Sequence, residues 1–119
     1  MNEQIEVAIF NCLLDTIGHQ VEVVRNLTPS NNYPFMSIGD CLEDQLVIFI
    51  WSKEQDHAEV KKLMAEVNRA IASNDKVNIS SMSIDLQSAG VVRQFNEGDT
   101  FYRGRLSYCI KHHNGDAHV

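Results

Sequence analysis

The side chains best suited to hold a metal ion are His57 and a carboxy-terminal group made up of His112, His113, Asp116 and His118. Imidazole and carboxylate groups are common zinc ligands, but functional sites usually fix them with a packed outer shell. The carboxy-terminal group lies in a polar stretch without hydrophobic periodicity. We therefore predict no metal site and no cofactor, and we interpret His57 as a solvated residue in the first turn of a helix.

The sequence gives little indication of residues arranged for nucleophilic or acid-base catalysis. It contains no G-x-S-x-G elbow, P-loop or G-x-G-x-x-G, and its six glycines are scattered singly. Cys109 and His112 would point to opposite faces of a strand. Asp85 and Asp99 could meet across adjacent strands, but a carboxylate in an NEGD turn is ordinary turn chemistry. We predict no catalytic residue and no enzyme, with a small metal-dependent enzyme using these histidines as the alternative.

Composition limits the class of protein. The 119 residues suit one domain, with 44% hydrophobic and 22% charged residues, as is usual for globular chains. The three cysteines, Cys12, Cys41 and Cys109, form no CxxC pair and indicate reduced thiols rather than a disulfide framework. A net charge of −6 disfavours nucleic-acid binding. No apolar run spans a bilayer and no basic signal region opens the chain, so we expect a cytoplasmic protein without membrane contact.

Two helices are predicted from the spacing of apolar residues. The first covers Asn2 to Ile17 and ends at Gly18, with its core stripe at Ile5, Ile9, Cys12, Leu13 and Thr16. The second begins at Ser52, which with Gln55 forms a weak capping box, and runs to about Ser73. Its core stripe comprises Ala58, Val60, Leu63, Met64, Val67 and Ile71.

About six short strands are predicted: Val21 to Arg25, Phe35 to Gly39, Leu46 to Trp51, Met82 to Leu86, Val91 to Phe95 and Thr100 to Lys111. Asp40 to Asp44 is predicted as a turn, and NEGD at Asn96 to Asp99 as a hairpin turn. We expect a single α+β domain over residues 1–111, with a mainly antiparallel sheet and two main helices packed on it. Residues 112–119 are expected to form a flexible polar tail.

Arginine and aromatic side chains are the candidates for a protein interface. Arg103 and Arg105 share one face of the last strand, and Arg93 lies across the NEGD turn. These arginines either form a solvated face paired with carboxylates or contact another subunit, where arginine is enriched. Phe49 and Trp51 share a face of their strand. They are either buried under the first helix or serve as aromatic anchors of a subunit contact.

The loop Asn26 to Pro34 is a further interface candidate. It contains both prolines of the chain, and a loop of this length in a small domain is often a binding segment. Ser30, Asn31 and Asn32 are the residues that we expect to contact a partner.

Three stretches, taken in order, resemble the tail-completion family of long-tailed phages and prophages that includes the tail terminators. They are NNYPFMSIGD at Asn31 to Asp40, LVIFIWSKEQDHAEVKKLMAEVNRAI at Leu46 to Ile71, and SMSIDLQSAGVVRQFNEGDTFYRGRLSYCI at Ser81 to Ile110. With the opening helix, the resemblance covers almost the whole chain. The polar, His-rich segment after Ile110 departs from the family pattern.

The resemblance implies a structural protein of the virion tail, assembled in the host cytoplasm. It implies a homohexameric ring that sits on the last ring of tail tube protein, stops tube polymerisation and offers a surface to the head-tail connector protein. DNA would pass through the ring without specific binding, and an acidic lumen would repel its phosphates. A minor tail or neck protein at another position of the same virion is the alternative within this class.

Overall fold

A computed structural model describes residues 3–18, 21–25, 34–41, 44–53, 58–75, 82–96 and 99–112. The elements in chain order are α1 (Glu3–Ile17), β1 (Glu22–Arg25), β2 (Phe35–Cys41), β3 (Gln45–Ser52), α2 (Ala58–Ala72), β4 (Met82–Asn96) and β5 (Asp99–His112). The strands form one sheet in the order β1-β2-β3-β5-β4. Among the strand pairs formed by these residues, β1-β2 is parallel and the other three are antiparallel. The α+β class and the mainly antiparallel sheet are confirmed.

Both helices pack on one face of the sheet and divide it between them. Helix α1 contacts β1 and β2, whereas α2 contacts β3, β4 and β5. The core lies between these layers, and the even-numbered side chains Leu46, Ile48 and Ile50 of β3 are fully buried in it. In the described part of the chain, neither helix is long and apolar enough to cross a membrane.

Helix α1 follows its predicted stripe with one exception. Ile9, Leu13 and Ile17 are buried at 0–1% exposure, and the helix ends where Gly18 donates its N–H to the Leu14 carbonyl at 3.0 Å. Thr16, predicted in the core, is exposed. Its hydroxyl donates to the Cys12 carbonyl at 2.7 Å, which satisfies the polar group on the outer face.

Helix α2 begins later than predicted. Ser52 is the last residue of β3 rather than a helix cap, and its buried hydroxyl donates to the Glu59 carboxylate in the first turn of α2. The helix buries Val60, Leu63, Met64, Val67, Ala70 and Ile71, whereas Ala58, predicted in the stripe, is exposed. His57 lies outside the described residues.

The strand predictions need three corrections. Strand β2 continues through Asp40 and Cys41, which were predicted to turn. The two strands predicted over Met82 to Leu86 and Val91 to Phe95 are one strand, β4, with a register shift between Leu86 and Ser88. Strand β5 includes His112, which pairs with Met82, so the sheet extends one residue into the predicted tail. Residues 113–119 lie outside the described part, and the division into domain and tail stays a prediction.

Gly104 allows α2 to approach the middle of β5. A Cβ atom built at this position would lie 2.6 Å from Met64 Sδ and 3.0 Å from Val60 Cγ2. Contacts this short force the helix or its side chains to shift. The absence of a side chain at Gly104 therefore leaves the space that Met64 and Val60 of α2 occupy.

We expect Gly104→Val to lower the free energy of unfolding by about 1–3 kcal/mol, because the added side chain overpacks the contact with α2. Urea denaturation measures this loss. Gly90→Val on the neighbouring strand is the matched control, since nothing lies within 4 Å of its Cβ position. The loss at Gly104 should shrink in a Met64→Ala background, where the crowding atom is removed. An unchanged loss in that background would contradict the assignment.

Tyr108 is a buried polar side chain between β5 and α2. Its ring is 1% exposed, and its hydroxyl donates to Asn68 Oδ1 at 3.1 Å. Burial disfavours the phenolate and raises the pKa of Tyr108 well above its ordinary value of about 10. The neutral phenol is thus the form that the core accepts.

This burial makes stability fall in alkaline solution. Above about pH 10 the unfolded chain loses the Tyr108 proton while the folded chain retains it, so folding loses up to about 1.4 kcal/mol per pH unit. We expect Tyr108→Phe to abolish the alkaline loss of stability that is due to Tyr108. The same substitution should lower the free energy of unfolding at neutral pH by about 0.5–1.5 kcal/mol, because the hydrogen bond is lost. Urea titrations from about pH 8 to 11 test it. Tyr102→Phe, a half-buried tyrosine on the same strand, is the control.

Candidate functional site

Phe49 and Trp51 lie on the face of the sheet that turns away from the helices. Side chains alternate along β3, and Leu46, Ile48 and Ile50 occupy the helix-facing side. Among the described residues, the backbone of α1 lies over β1 and β2 rather than over β3. Burial of Phe49 and Trp51 under the first helix, one of the two alternatives predicted for them, is therefore wrong.

Three aromatic rings form a cluster on this outer face. Phe35 and Trp51 are direct cross-strand neighbours, and their rings stack with centroids 4.6 Å apart at an interplanar angle of 16°. The rings of Phe49 and Trp51 lie 5.7 Å apart and are tilted by 34°. Phe35 is buried at 4% exposure, whereas Phe49 and Trp51 are half-buried. The cluster thus presents two partly exposed rings anchored on a buried one.

Arg103 extends the cluster onto β5. It pairs with Trp51 on β3 and with Val92 on β4, and its guanidinium carbon lies 5.1 Å from the centroid of the Phe49 ring. A cation over an aromatic face gains about 0.5–2 kcal/mol, depending on its exposure. Arg103 Nε is buried without a hydrogen-bond partner. We call Phe35, Phe49, Trp51, Val92, Arg103 and Arg105 the sheet-face patch.

The three predicted arginines do not come together. Arg105 pairs with Phe49 and is exposed on the same face as Arg103. Arg93 pairs with Tyr102 instead, and directly paired residues share a face. Arg93 therefore lies on the helix side of the sheet, away from the sheet-face patch. Val92, which is 45% exposed, is the β4 residue that lies beside Arg103 on this face, where the sequence had suggested Arg93.

Ser30, Asn31 and Asn32, the predicted interface residues of the Asn26 to Pro34 loop, lie outside the described residues. Among the predicted interface residues, the structure thus places Phe49, Trp51, Arg103 and Arg105 together, and it places Arg93 apart from them.

The geometry of the described residues gives no support to the paired-carboxylate site or to the metal site considered in the sequence. Asp85 pairs with Cys109 and Asp99 with Asn96, so the two residues lie toward opposite ends of the hairpin, about 30 Å apart along β5. Asp85 meets Lys111 at 3.6 Å instead. Within the described ranges, no group of three or more His, Cys, Asp or Glu side chains is arranged to hold a metal ion. His112 is exposed at the end of β5, and His113, Asp116 and His118 lie outside these ranges.

A groove between the two helices was not predicted from the sequence. It has a volume of about 770 Å³ and runs along the outer side of α1 and α2. Its lining residues are Val7, Ala8, Asn11, Cys12, Asp15, Thr16, Ile17, Glu66, Arg69, Ala70, Ser73 and Asn74. Its inner wall is closed by the Cys12 thiol, which donates to the Ala70 carbonyl at 3.6 Å. We call this feature the helix groove.

The helix groove combines exposed apolar surface with a buried carboxylate oxygen that has no hydrogen-bond partner in the described part of the chain. Val7 lies in it at 37% exposure, and Leu14 is exposed at 41% one turn beyond Asn11. Glu66 Oε1 is buried without a hydrogen-bond partner. The apolar signal was present in the sequence, because Val7 and Leu14 are seven residues apart on one side of α1, outside its core stripe.

No known protein family and no curated protein matches this sequence. Solved structures do match in fold. One, described as "Virion of native gene transfer agent (GTA) particle", contains a chain that superposes with a TM-score of 0.62. The match covers 91% of this chain and 94% of that chain at 15% sequence identity. At this identity, the likeness is one of fold.

Proposed function

We propose that this chain is a structural protein of a phage-like virion, and within it a tail terminator subunit. The observation that carries the proposal is the fold match to a chain of a gene transfer agent virion, which extends over nearly the full length of both chains. The three ordered stretches that resemble the tail-completion family support the same class. The terminator would form a homohexameric ring that caps the tail tube and joins it to the head-side connector.

The surface of the molecule supports a role in assembly rather than catalysis. The sheet-face patch exposes part of two aromatic rings and two arginines, the residue types that are enriched in protein interfaces. The net charge of −6 suits a ring through which DNA slides without being bound. In this proposal Phe49, Trp51, Arg103 and Arg105 contact another subunit or the tube protein. Arg93 would contribute separately from the helix side.

A minor tail or neck protein at another position of the virion is the second candidate. It is favoured by the same fold match, because the matching structure is a whole particle. The identities of the neighbouring genes would separate the two, since terminators usually lie just upstream of the tube protein gene.

Tube capping tests the proposal directly. Purified chain is added to polymerising tail tube protein, and tube length is measured by electron microscopy. A terminator should shorten the tubes at substoichiometric amounts and appear at one tube end as a ring of six, while light scattering reports its mass in solution. Tubes of unchanged length, with no chain bound to either end, would rule out the terminator role.

We expect removal of Ser30 to Asn32 to abolish capping while the domain remains folded, because this proline-flanked loop is proposed to contact the tube. Capping and thermal unfolding are measured on the same preparation. A cooperative unfolding transition like that of the intact chain is the control. Loss of that transition would show instead that the loop is required for folding.

A further inference from the structure

Arg103 is a partly buried cation that has no counter-charge among the residues that the structure describes. It stacks on Phe49 with its Nε turned inward and unpaired, while the side chain as a whole is half-exposed. Within the described residues, the structure gives it no carboxylate partner. Removing a guanidinium from water is unfavourable unless an acceptor replaces the lost hydrogen bonds. A carboxylate from another subunit would supply such an acceptor on the exposed side of this guanidinium.

Glu66 is the complementary case on the opposite side of the molecule. It lies in the helix groove with Oε1 buried and unpaired, and the side chain is half-exposed. Asp15 and Arg69 also line the groove, and both are exposed. Two carboxylates against one guanidinium leave the groove with a net negative charge.

We propose that the sheet-face patch of one copy docks into the helix groove of the next copy, with the Arg103 guanidinium paired to the Glu66 carboxylate. The inference rests on the proposed function, because it names the subunit contact of the proposed ring. The charges are complementary, with Arg103 and Arg105 on one surface and Asp15 and Glu66 on the other. The apolar parts also correspond, since Val92 and the half-exposed rings would cover Val7 and Leu14.

The arrangement of the two surfaces determines the kind of assembly. The helices occupy one face of the sheet and the patch occupies the other, so each subunit offers two different surfaces on opposite sides. Such a head-to-tail contact closes into a ring when the rotation between copies allows it, whereas a two-fold dimer uses one surface twice. Assemblies of more than two copies follow from this geometry.

Charge reversal tests the pairing in the full chain. Arg103→Glu sets two carboxylates against each other at every contact, and Glu66→Arg sets two guanidiniums against each other. We expect each single variant to self-associate about 30-fold or more weakly than the unaltered chain. An equimolar mixture should recover association, because every junction between unlike copies again joins a carboxylate to a guanidinium. The chain with both substitutions should recover it as well.

Two control variants carry the same charge changes at exposed sites. Lys61→Glu matches Arg103→Glu, and Asp44→Arg matches Glu66→Arg. Both should associate like the unaltered chain. Circular dichroism and urea unfolding establish that each variant is folded, and the milder pair Arg103→Gln and Glu66→Gln replaces any variant that is not. Association is measured by sedimentation velocity and light scattering.

The outcomes separate this contact from the proposed function. Single variants that associate and cap tubes normally would overturn the pairing and leave the terminator role standing. A mixture that fails to recover, or an assembly that stops at two copies, would also overturn the head-to-tail contact. An unaltered chain that neither associates nor caps tubes would remove the terminator role itself.

Discussion

Ile48→Ala is expected to lower the free energy of unfolding by about 2–5 kcal/mol. Ile48 is fully buried at the centre of β3, where it pairs with Ile38 on one side and Leu106 on the other. The truncation removes apolar contacts and leaves a cavity beneath α2, which β3 contacts. Because small domains are typically stable by only about 5–15 kcal/mol, a large part of the folding free energy is lost. Urea denaturation with a two-state fit measures the change.

Leu86→Ala is the control for that experiment. Leu86 is also an aliphatic side chain in the sheet, but it is 44% exposed, so its truncation should change the free energy of unfolding by about 0.5 kcal/mol or less. Equal losses at the two positions would show that Ile48 does not lie in the core as described.

Periodicity was sufficient to predict the helices, because each buries one stripe against the sheet. The core positions Ile9 and Leu13 of α1, and Val60, Leu63 and Val67 of α2, follow directly from three- and four-residue steps. Thr16 was misplaced because position alone cannot distinguish Thr16 from Ile17 at the edge of the stripe. The greater hydrophobicity of isoleucine decides that edge, and Ile17 is 1% exposed.

The divided prediction for β4 has a physical cause in the register shift. Before the shift, the even-numbered Met82 and Ile84 face the helices, and after it the odd-numbered Ala89 and Val91 do. A bulge adds one residue and exchanges the faces of all that follow. In the sequence, the change from even-numbered to odd-numbered apolar residues looks like the end of one strand and the start of another. Only the pairing with β5 shows that the strand is continuous.

The candidate surfaces were predictable only where they lie on one element. Arg103 and Arg105 are two residues apart on β5, so their shared face follows from strand alternation. The position of Arg93 depends on the exact pairing across the hairpin, and Arg103 over Phe49 depends on the β3-β5 register. The helix groove depends on how α1 lies against α2. Strand order and helix packing are tertiary properties that no local pattern contains.

Phe49→Ala is expected to weaken self-association and tube capping about 30-fold or more, which corresponds to about 2 kcal/mol at an interface anchor. This expectation rests on the proposed function as a tail terminator subunit. Phe49 holds the Arg103 guanidinium at 5.1 Å and lies 5.7 Å from Trp51, so alanine removes exposed aromatic area and releases the cation. The ring is only half-buried, and the loss of folding stability should therefore be smaller than that of Ile48→Ala. Sedimentation velocity and capping assays measure the effect at equal folded fractions.

Ile84→Ala truncates a side chain that lies in neither proposed surface. Ile84 is 5% exposed in the core, so its truncation should lower stability while leaving association of the folded chain intact. Phe49→Leu refines the result, because leucine keeps apolar contact area but offers no ring face to Arg103. An intermediate loss for leucine would assign part of the effect to the cation. Association of Phe49→Ala equal to that of Ile84→Ala, at matched folded fractions, would exclude the sheet-face patch as an assembly surface.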